Sequence, residues 1–214
     1  MPIISEPFLI PLFCEKGGRG LNFHIVEFEA SYGKSSQIPS SDIPEIVFSG
    51  KSNVGKSSLI NKLLYRKSIA KVSATPGKTT TVNFFRLSDV RFADLPGYGY
   101  AKVSKSEKDR WAELVEGYFS QNRNISLIIQ ICDIRHSPTK DDMAMIDFLY
   151  STGYNFIIAL TKLDKLKKSQ IQTRINELRN DLSEYDGIEL YPCSSQTGEG
   201  TDEIRKAIED SISE

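Results

Sequence analysis

The segment from residue 50 to residue 57 has the residue types and spacing needed to hold a chain of phosphates. A glycine opens it, and a second glycine directly precedes a lysine and a serine, which satisfies the pattern GxxxxGK[ST]. In such a loop the backbone N–H groups cradle phosphates, the lysine neutralises their outer oxygens, and the serine hydroxyl can ligate Mg²⁺. The alternative is a glycine-containing turn without a ligand. This segment, here called the P-loop, consists of Gly50, Lys51, Ser52, Asn53, Val54, Gly55, Lys56 and Ser57.

Two further motifs follow in the order that a nucleotide site needs. The first, Asp94, Leu95, Pro96 and Gly97, offers a carboxylate that can hold Mg²⁺ through water and an N–H that can reach a γ-phosphate. The second is Thr161, Lys162, Leu163 and Asp164, and its aspartate can accept hydrogen bonds from N1 and N2 of guanine, a donor pair that adenine lacks. Each motif alone is an ordinary turn, but together with the P-loop they predict guanine nucleotide recognition.

These motifs must be positioned by strands and helices, which the hydrophobic pattern predicts from residue 44 onward. Short apolar runs alternate with longer amphipathic stretches, as expected for strands joined by crossover helices. The connection between residues 82–87 and 90–93 is too short for a parallel crossover, so we expect a hairpin there. The predicted strands are residues 45–48, 82–87, 90–93, 127–133, 156–160 and 188–192. The predicted helices are residues 56–64, 107–119, 140–149, 169–182 and 201–212.

The predicted fold is therefore α/β, a three-layer domain with helices on both faces of a mostly parallel six-stranded sheet that has one antiparallel edge strand. We expect residues 44–214 to form the nucleotide-binding domain. Residues 21–43 should add an N-terminal strand and a linker rich in Ser and Gly at residues 31–41. Residues 1–20 lack the basic start of a secretory signal, and residues 15–20 could be translated from a purine-rich ribosome-binding sequence. They are predicted to be a non-native or disordered extension, with the natural start at Leu21.

Composition and charge exclude several classes of protein. The 214 residues are 39% hydrophobic and 26% charged, which fits one globular domain and excludes a disordered or collagen-like chain. The 27 basic and 28 acidic residues give a net charge of −1, so contact with RNA would need a local patch, and we expect no DNA binding. No apolar run is long enough to span a membrane. The three cysteines show no metal or disulfide spacing, which favours a reducing cytoplasm.

Longer strings of residues resemble one family, the EngB (YihA/YsxC) GTPases of the TrmE-Era-EngA-EngB-septin-like group. The resemblance extends from residue 26 to the C-terminus, and the strings at residues 96–101 and 133–136 separate this family from its Era-like relatives. The strings are Pro44-Glu-Ile, the P-loop with Ser58, Thr75-Pro-Gly-Lys-Thr79, Asn83-Phe-Phe85, Asp94-Leu-Pro-Gly-Tyr-Gly-Tyr-Ala101, Trp111, Asp133-Ile-Arg-His-Ser-Pro-Thr139 and Ser194-Ser195.

The resemblance implies a Ras-like P-loop GTPase fold and assigns roles to individual residues. It places Lys56, Thr79 and Gly97 in catalysis and makes Ser57 and Thr79 the Mg²⁺ ligands. Thr80 is the alternative ligand, because the family usually has Gln after this threonine, where Thr80 stands here. The remaining implied nucleotide-binding residues are Gly77, Lys78, Thr81, Cys193, Ser194 and Ser195, the last three in a loop that closes over guanine.

Two positions bear on the rate of hydrolysis. Tyr98 stands where many GTPases have the glutamine that orients the attacking water, which predicts slow intrinsic hydrolysis. Asn53 resembles the asparagine of potassium-stimulated GTPases and suggests K⁺ beside the phosphates.

The function implied by the resemblance is a GTP/GDP-dependent molecular switch. The resemblance implies a bacterial-type factor necessary for normal cell division and septation, acting through assembly of the large (50S) ribosomal subunit. We expect the protein to be a monomer. The alternatives are a division-site scaffold with a structural nucleotide and a metabolic phosphotransferase on the same P-loop.

A group of basic residues after the DxPG motif could contact ribosomal RNA or lie on a solvated helix, namely Lys102, Lys105, Lys108 and Arg110. Trp111 fits a core-facing helical stripe.

Overall fold

The structure is a computed structural model that describes residues 20–70, 80–99 and 104–213. The predictions made for residues 1–19, 71–79, 100–103 and 214 lie outside these described residues. Single-turn 3-10 helices occur at Ser35–Gln37 and Leu163–Lys165. The strands are β1 (Glu27–Tyr32), β2 (Ser41–Gly50), β3 (Val82–Leu87), β4 (Val90–Asp94), β5 (Arg123–Asp133), β6 (Phe156–Thr161) and β7 (Leu190–Pro192). The helices are α1 (Lys56–Leu63), α2 (Lys105–Phe119), α3 (Lys140–Ser151), α4 (Lys168–Asp181) and α5 (Thr201–Ser213).

The seven strands form one sheet in the order β1-β3-β4-β2-β5-β6-β7. All neighbours from β4 to β7 in this order are parallel, whereas β3 is antiparallel to both β1 and β4. The predicted fold class is confirmed. The sheet has seven strands rather than six because the N-terminal strand pairs with β3, which makes β3 the second strand from the edge. The carboxyl ends of five parallel strands therefore meet at one edge.

The alternation of apolar side chains in the central strands places helices on both faces. Ile46 and Phe48 of β2 pack in a core with α1 and α5, and Val47 between them packs in the opposite core with α2 and α3. Leu178 of α4 joins a third cluster on that second face, against β6. A central parallel strand is covered on both sides, so it reads as a continuous apolar run. Among the described residues, no helix combines the length and apolar character of a membrane span.

Capping residues set two helix starts that matter for the site. Ser104 and Glu107 form a capping box, so α2 begins two residues before its predicted start. Thr139 and Asp142 form a second capping box at the start of α3, where the sequence predicted it. The linker predicted at residues 31–41 is shorter than expected, because β1 continues to Tyr32 and β2 already begins at Ser41.

A buried ionic cluster lies on β2, away from the P-loop end of the strand. Glu45 is 0% exposed, and its carboxylate accepts hydrogen bonds from Arg123 (2.6 and 2.8 Å), Arg91 (3.2 Å) and the Tyr118 hydroxyl (2.7 Å). Burial opposes ionisation of Glu45, but these hydrogen bonds outweigh it and hold its pKa below the ordinary value. The cluster joins β2, β4 and β5 to the end of α2.

Candidate functional site

The P-loop connects β2 to α1 through a tight turn that requires glycine at two positions. A Cβ on Gly50 would lie 2.9 Å from the Ile131 carbonyl oxygen of the neighbouring strand, and Gly55 has a φ of 110°. Gly55 caps α1 without a side-chain hydrogen bond. The first N–H groups of α1 are therefore not satisfied by a capping side chain, and such a helix end attracts anions.

The P-loop lysine meets the carboxylate of the second motif. Lys56 Nζ forms an ion pair with Asp94 Oδ1, and both side chains are almost fully buried. The contact arises because Asp94 ends β4, which pairs in parallel with β2 beside Phe48. Sequence positions 38 residues apart thus converge at one sheet edge, as the motif order predicted.

The DxPG segment, Asp94 to Gly97, lies directly against the P-loop backbone. Ser52 N–H donates to the Tyr98 carbonyl oxygen at 2.8 Å, and a Cβ on Gly97 would lie 2.9 Å from Ser52 Oγ. On the other side, Trp111 Nε1 donates to the Pro96 carbonyl oxygen at 2.8 Å. The helix α2 and the P-loop therefore hold this segment from both sides, and a side chain at position 97 would crowd Ser52.

Tyr98, next in the chain, is turned into the protein. Its hydroxyl donates to Asp142 Oδ1 at 2.7 Å and accepts from Gln130 Nε2 at 2.5 Å, and the residue is 6% exposed. Burial, with a further contribution from the Asp142 carboxylate, raises the pKa of this phenol well above its ordinary value. The phenol stays neutral and tied to β5 and α3.

The third motif is joined to the P-loop by two hydrogen bonds. Thr161 Oγ1, at the end of β6, donates to the Val54 carbonyl oxygen at 2.6 Å. Lys162 has a φ of 66°, and its Nζ donates to the Asn53 carbonyl oxygen and to Asp133 Oδ2, each at 2.9 Å. Although burial opposes ionisation of Asp133, hydrogen bonds from Arg135 and Lys162 lower its pKa. The Lys162 side chain thus connects the P-loop at Asn53 to the end of β5 at Asp133.

Asp164 is held in place by its neighbours. Ser194 Oγ donates to Asp164 Oδ1 at 2.7 Å, and Lys165 Nζ lies 3.0 Å from Oδ2. The Ser194 hydrogen bond, followed by that of Lys165, lowers the pKa of Asp164. Leu163 N–H donates to the carbonyl oxygen of the buried Cys193, which anchors the turn that carries the aspartate. The carboxylate is therefore ionised and oriented.

These groups line a cavity of about 440 Å³, within the size range of small-molecule sites. Lys162 and Asp164 form one side, Ser195 and Gln196 another, and α1 the third. The side of α1 consists of Ser58, Asn61 and Lys62, at helical spacings of three and four residues. The N-terminal part of α1 and an ionised, oriented carboxylate thus flank one cavity.

A metal at this site has to be held mainly by oxygen atoms of hydroxyls, water and phosphates. Across residues 20–70, 80–99 and 104–213, no three His, Cys, Asp or Glu side chains come together as a metal cluster. Ser57 is the second residue of α1 and is partly buried, and its neighbour Lys56 contacts Asp94 at the end of β4. Such hard oxygen donors suit Mg²⁺, which retains water and is bound through few protein ligands.

Comparisons with known proteins agree with this geometry. A family model described as "50S ribosome-binding GTPase" matches residues 45–162. A "probable GTP-binding protein EngB" of Gemmatimonas aurantiaca is 47% identical over 171 residues, which cover 79% of this chain and 83% of that protein. The chain belongs to the EngB family of GTPases. An EngB of Bacillus cereus is 46% identical over 176 residues, covering 82% of this chain and 89% of the relative.

A solved structure titled as an EngB GTP-binding protein has the same architecture. It superposes with a TM-score of 0.64 at 25% identity and covers 78% of this chain and 98% of its own. The EngB resemblance predicted from the sequence is confirmed, and the protein is a GTP-hydrolysing enzyme that binds GTP and GDP.

Most of the EngB motif residues lie in the part of the chain that the structure describes, and the rest lie outside it. The P-loop, the DxPG segment and the TKxD turn (Thr161 to Asp164) meet at one sheet edge, together with Ser194 and Ser195. Thr80 and Thr81 directly precede β3. Gly77, Lys78 and Thr79 lie outside the described residues, so the choice between Thr79 and Thr80 as a magnesium ligand stays a prediction.

Sequence reasoning missed several residues at the EngB site. Asp133 pairs with Lys162, but the sequence indicates it only as the first residue of the family string Asp133–Thr139. The α1 residues that line the cavity could have been found from their spacing after the P-loop, which places Ser58, Asn61 and Lys62 on one helical face. The hydrogen bonds of Tyr98 to Asp142 and Gln130 carry no local sequence signal, because the partners are 44 and 32 residues away.

Replacing Tyr98 with phenylalanine should destabilise the protein by about 1–3 kcal/mol while leaving GTP affinity almost unchanged. The change leaves Asp142 Oδ1 and Gln130 Nε2 without their buried partner, but it keeps the backbone contact to Ser52. Urea unfolding and nucleotide titration measure the two effects. Tyr185→Phe is the matched control, since its hydroxyl bonds to Asp147 at the surface. Equal losses in the two variants would contradict the account.

Proposed function

We propose that this EngB-family GTPase is a slow, GTP-controlled switch needed for normal cell division and septation through assembly of the large ribosomal subunit. The observation that carries the proposal is the contact between the P-loop and the residue that directly follows the DxPG segment, in which Ser52 N–H donates to the Tyr98 carbonyl oxygen. A γ-phosphate held by the P-loop would act directly on that contact. Ordering of loops by a γ-phosphate and their release on hydrolysis is the established basis of GTPase switches.

Each predicted residue has a role in this proposal. The P-loop N–H groups and Lys56 hold the phosphates, and the Gly97 N–H senses the γ-phosphate. Ser57 and Thr79 would hold Mg²⁺ with support from Asp94, and the ion would offset charge on the phosphates. Asp164 reads N1 and N2 of guanine, while Lys162 and the loop of Cys193, Ser194 and Ser195 enclose the base. The proposal is supported by the cavity that Gly55, Lys162, Asp164 and Ser195 line together, and by the ion pair of Lys56 with Asp94 at the same sheet edge.

Slow hydrolysis follows from the position of Tyr98. Its hydroxyl is engaged by Asp142 and Gln130, so it is not available to orient a water molecule. We expect intrinsic turnover of about 10⁻² s⁻¹ or slower, in the range of GTPases without an activator. Phosphate release measured with the isolated protein tests this. Turnover at the rate of an activator-stimulated GTPase would refute it.

Potassium should accelerate hydrolysis more than sodium does. Asn53 is an exposed P-loop residue with a φ of 63°. A K⁺ held there would add positive charge next to the phosphates in the transition state. GTP turnover compared in equal concentrations of KCl and NaCl measures the effect, and Asn53→Ala should abolish the difference. Equal rates for the unaltered protein in both salts would exclude this role.

The large ribosomal subunit is the proposed partner, and the cytoplasm the proposed location. Support comes from the matching family model, whose description names 50S ribosome binding. Co-sedimentation of the monomeric protein with purified large subunits tests the proposal, with a non-hydrolysable GTP analogue compared with GDP at near-physiological salt. We expect more binding with the analogue. Absence of binding in both states would refute the ribosomal role, and nucleotide binding without turnover would favour a division-site scaffold.

A further inference from the structure

A groove of about 750 Å³ runs between α2 and α3, on the face opposite to α1. It is larger than the cavity beside Asp164, which measures about 440 Å³. Its lining is mostly apolar, and Phe148 on one wall is 36% exposed although its ring packs on Phe119. The main apolar residues of this α2/α3 groove are Trp111, Ala112, Val115, Phe119, Met145 and Phe148.

One end of the α2/α3 groove is formed by the last residue of the DxPG segment and the two residues that follow it. Gly97, Tyr98 and Gly99 line that end. Trp111 donates its indole N–H to the Pro96 carbonyl oxygen, and its ring lies 6.0 Å from the Tyr98 ring in an edge-to-face arrangement. Movement of the DxPG segment would therefore change the shape of the groove.

The rim of the α2/α3 groove is acidic. Four exposed carboxylates and one exposed ammonium surround the apolar lining. Within residues 20–70, 80–99 and 104–213, none of these carboxylates forms an ion pair. Such a rim repels phosphate groups and attracts cationic side chains. The carboxylates are Glu107, Asp109, Glu116 and Asp141, and the ammonium is Lys108.

We infer that the α2/α3 groove is a docking site for a partner protein, which inserts an amphipathic segment with apolar anchors flanked by Lys or Arg. The apolar lining would receive the anchors, as in helix-in-groove recognition, and the acidic rim would pair with the flanking cations. The same charge argues against ribosomal RNA as the occupant of this face, although Lys108 and Arg110 lie on α2. The docking site goes beyond the proposed function. Only the dependence of docking on the bound nucleotide rests on that proposed function.

Trp111 allows a direct measurement, because it is the only tryptophan of the chain and lines the groove. The probes are two synthetic amphipathic peptides of about 16 residues that share the same Leu and Phe anchors. One carries Lys and Arg between the anchors, and the other carries Glu. Each peptide is titrated into the full-length protein bound to GDP or to a non-hydrolysable GTP analogue, with Trp111 fluorescence as the readout. We expect a saturable change with the basic peptide only.

Charge reversal at the rim distinguishes the groove from general attraction to an acidic helix. Glu116→Lys should weaken binding of the basic peptide about fivefold or more, because it removes one attraction and adds one repulsion. Glu113→Lys changes the charge equally on the same helix but does not line the groove, so it should alter affinity less than about twofold. Ala144→Arg, which places a bulky cation in the exposed wall, should also weaken binding. Circular dichroism confirms that each variant is folded.

The outcomes separate this inference from the proposed function. No fluorescence change with the basic peptide, equal responses to both peptides, or equal effects of Glu113→Lys and Glu116→Lys would overturn the docking site. Displacement of the peptide by a ribosomal RNA fragment, with tighter RNA binding to Glu116→Lys, would assign the face to RNA and would also overturn it. Specific binding of equal strength in both nucleotide states would support the docking site and contradict the switch.

Discussion

Asp164→Asn should exchange GTP for xanthosine triphosphate as the preferred nucleotide, with GTP affinity falling by about 10²–10⁴-fold. The estimate takes about 1.5–3 kcal/mol for each of two hydrogen bonds to the carboxylate, or about 3–6 kcal/mol in total. An asparagine amide presents a donor where guanine also presents donors, whereas xanthine has a carbonyl at C2 that can accept. Ser194 Oγ, 2.7 Å from Asp164 Oδ1, fixes the orientation of the side chain at this position.

Titration calorimetry with GDP and with xanthosine diphosphate measures the exchange. Asp186→Asn is the matched control, since it makes the same chemical change at an exposed turn after α4. The control should keep the affinity for GDP and its discrimination against the xanthine nucleotide. If Asp164→Asn retains the selectivity of the unaltered protein, then Asp164 does not recognise the base.

Glu45→Gln should lower the free energy of unfolding by about 3–5 kcal/mol, the cost of removing one partner from a buried ionic cluster. The change leaves the charges of Arg91 and Arg123 without the carboxylate that compensates them. Because Glu45 lies on β2 well before the P-loop, nucleotide affinity should stay within about twofold of normal at temperatures where the variant is folded. Urea unfolding followed by circular dichroism gives the free energy.

The Glu45 cluster also predicts how the difference in the free energy of unfolding between the unaltered protein and Glu45→Gln depends on pH. The folded-state pKa of Glu45 is lowered, so its stabilisation is present above the unfolded-state value of about 4.3 and is lost as the pH falls through the folded-state value. The gap between the unaltered protein and Glu45→Gln should therefore be full near neutral pH and narrow in acid. Glu113→Gln, at an exposed position, should change stability by less than about 0.5 kcal/mol. A loss below about 1 kcal/mol for Glu45→Gln would contradict the account.

The sequence was sufficient to predict the sheet edge that carries the site, since each motif follows an apolar strand. The extents of the strands were harder to predict where polar residues pair inside the sheet. β5 begins at Arg123 rather than at residue 127, because Arg123 pairs opposite Ser41 and bonds to the buried Glu45. An isolated arginine gives no strand signal, and its partner is 78 residues away.

In the candidate site, too, the motifs with local spacing were predicted from the sequence, whereas contacts between residues far apart in the sequence were not. The P-loop, DxPG and TKxD residues have fixed local spacings, so the sequence predicted which residues meet. Trp111 packs against the core as predicted, but it is only partly buried, and its hydrogen bond to the DxPG segment has no local sequence signal. The orientation of Asp164 by Ser194 likewise depends on two loops that only the folded sheet brings together.

The most direct test of the switch is co-sedimentation of the Asp164→Asn variant with purified large ribosomal subunits. Non-hydrolysable analogues of xanthosine triphosphate and of GTP are compared, with the diphosphates as references. Since the variant alters which nucleotide occupies this one site, association that follows the xanthosine analogue is assigned to the site itself. We expect binding with that analogue and little with the GTP analogue. Binding that is the same with all nucleotides, or absent with all, would contradict a ribosome-directed switch.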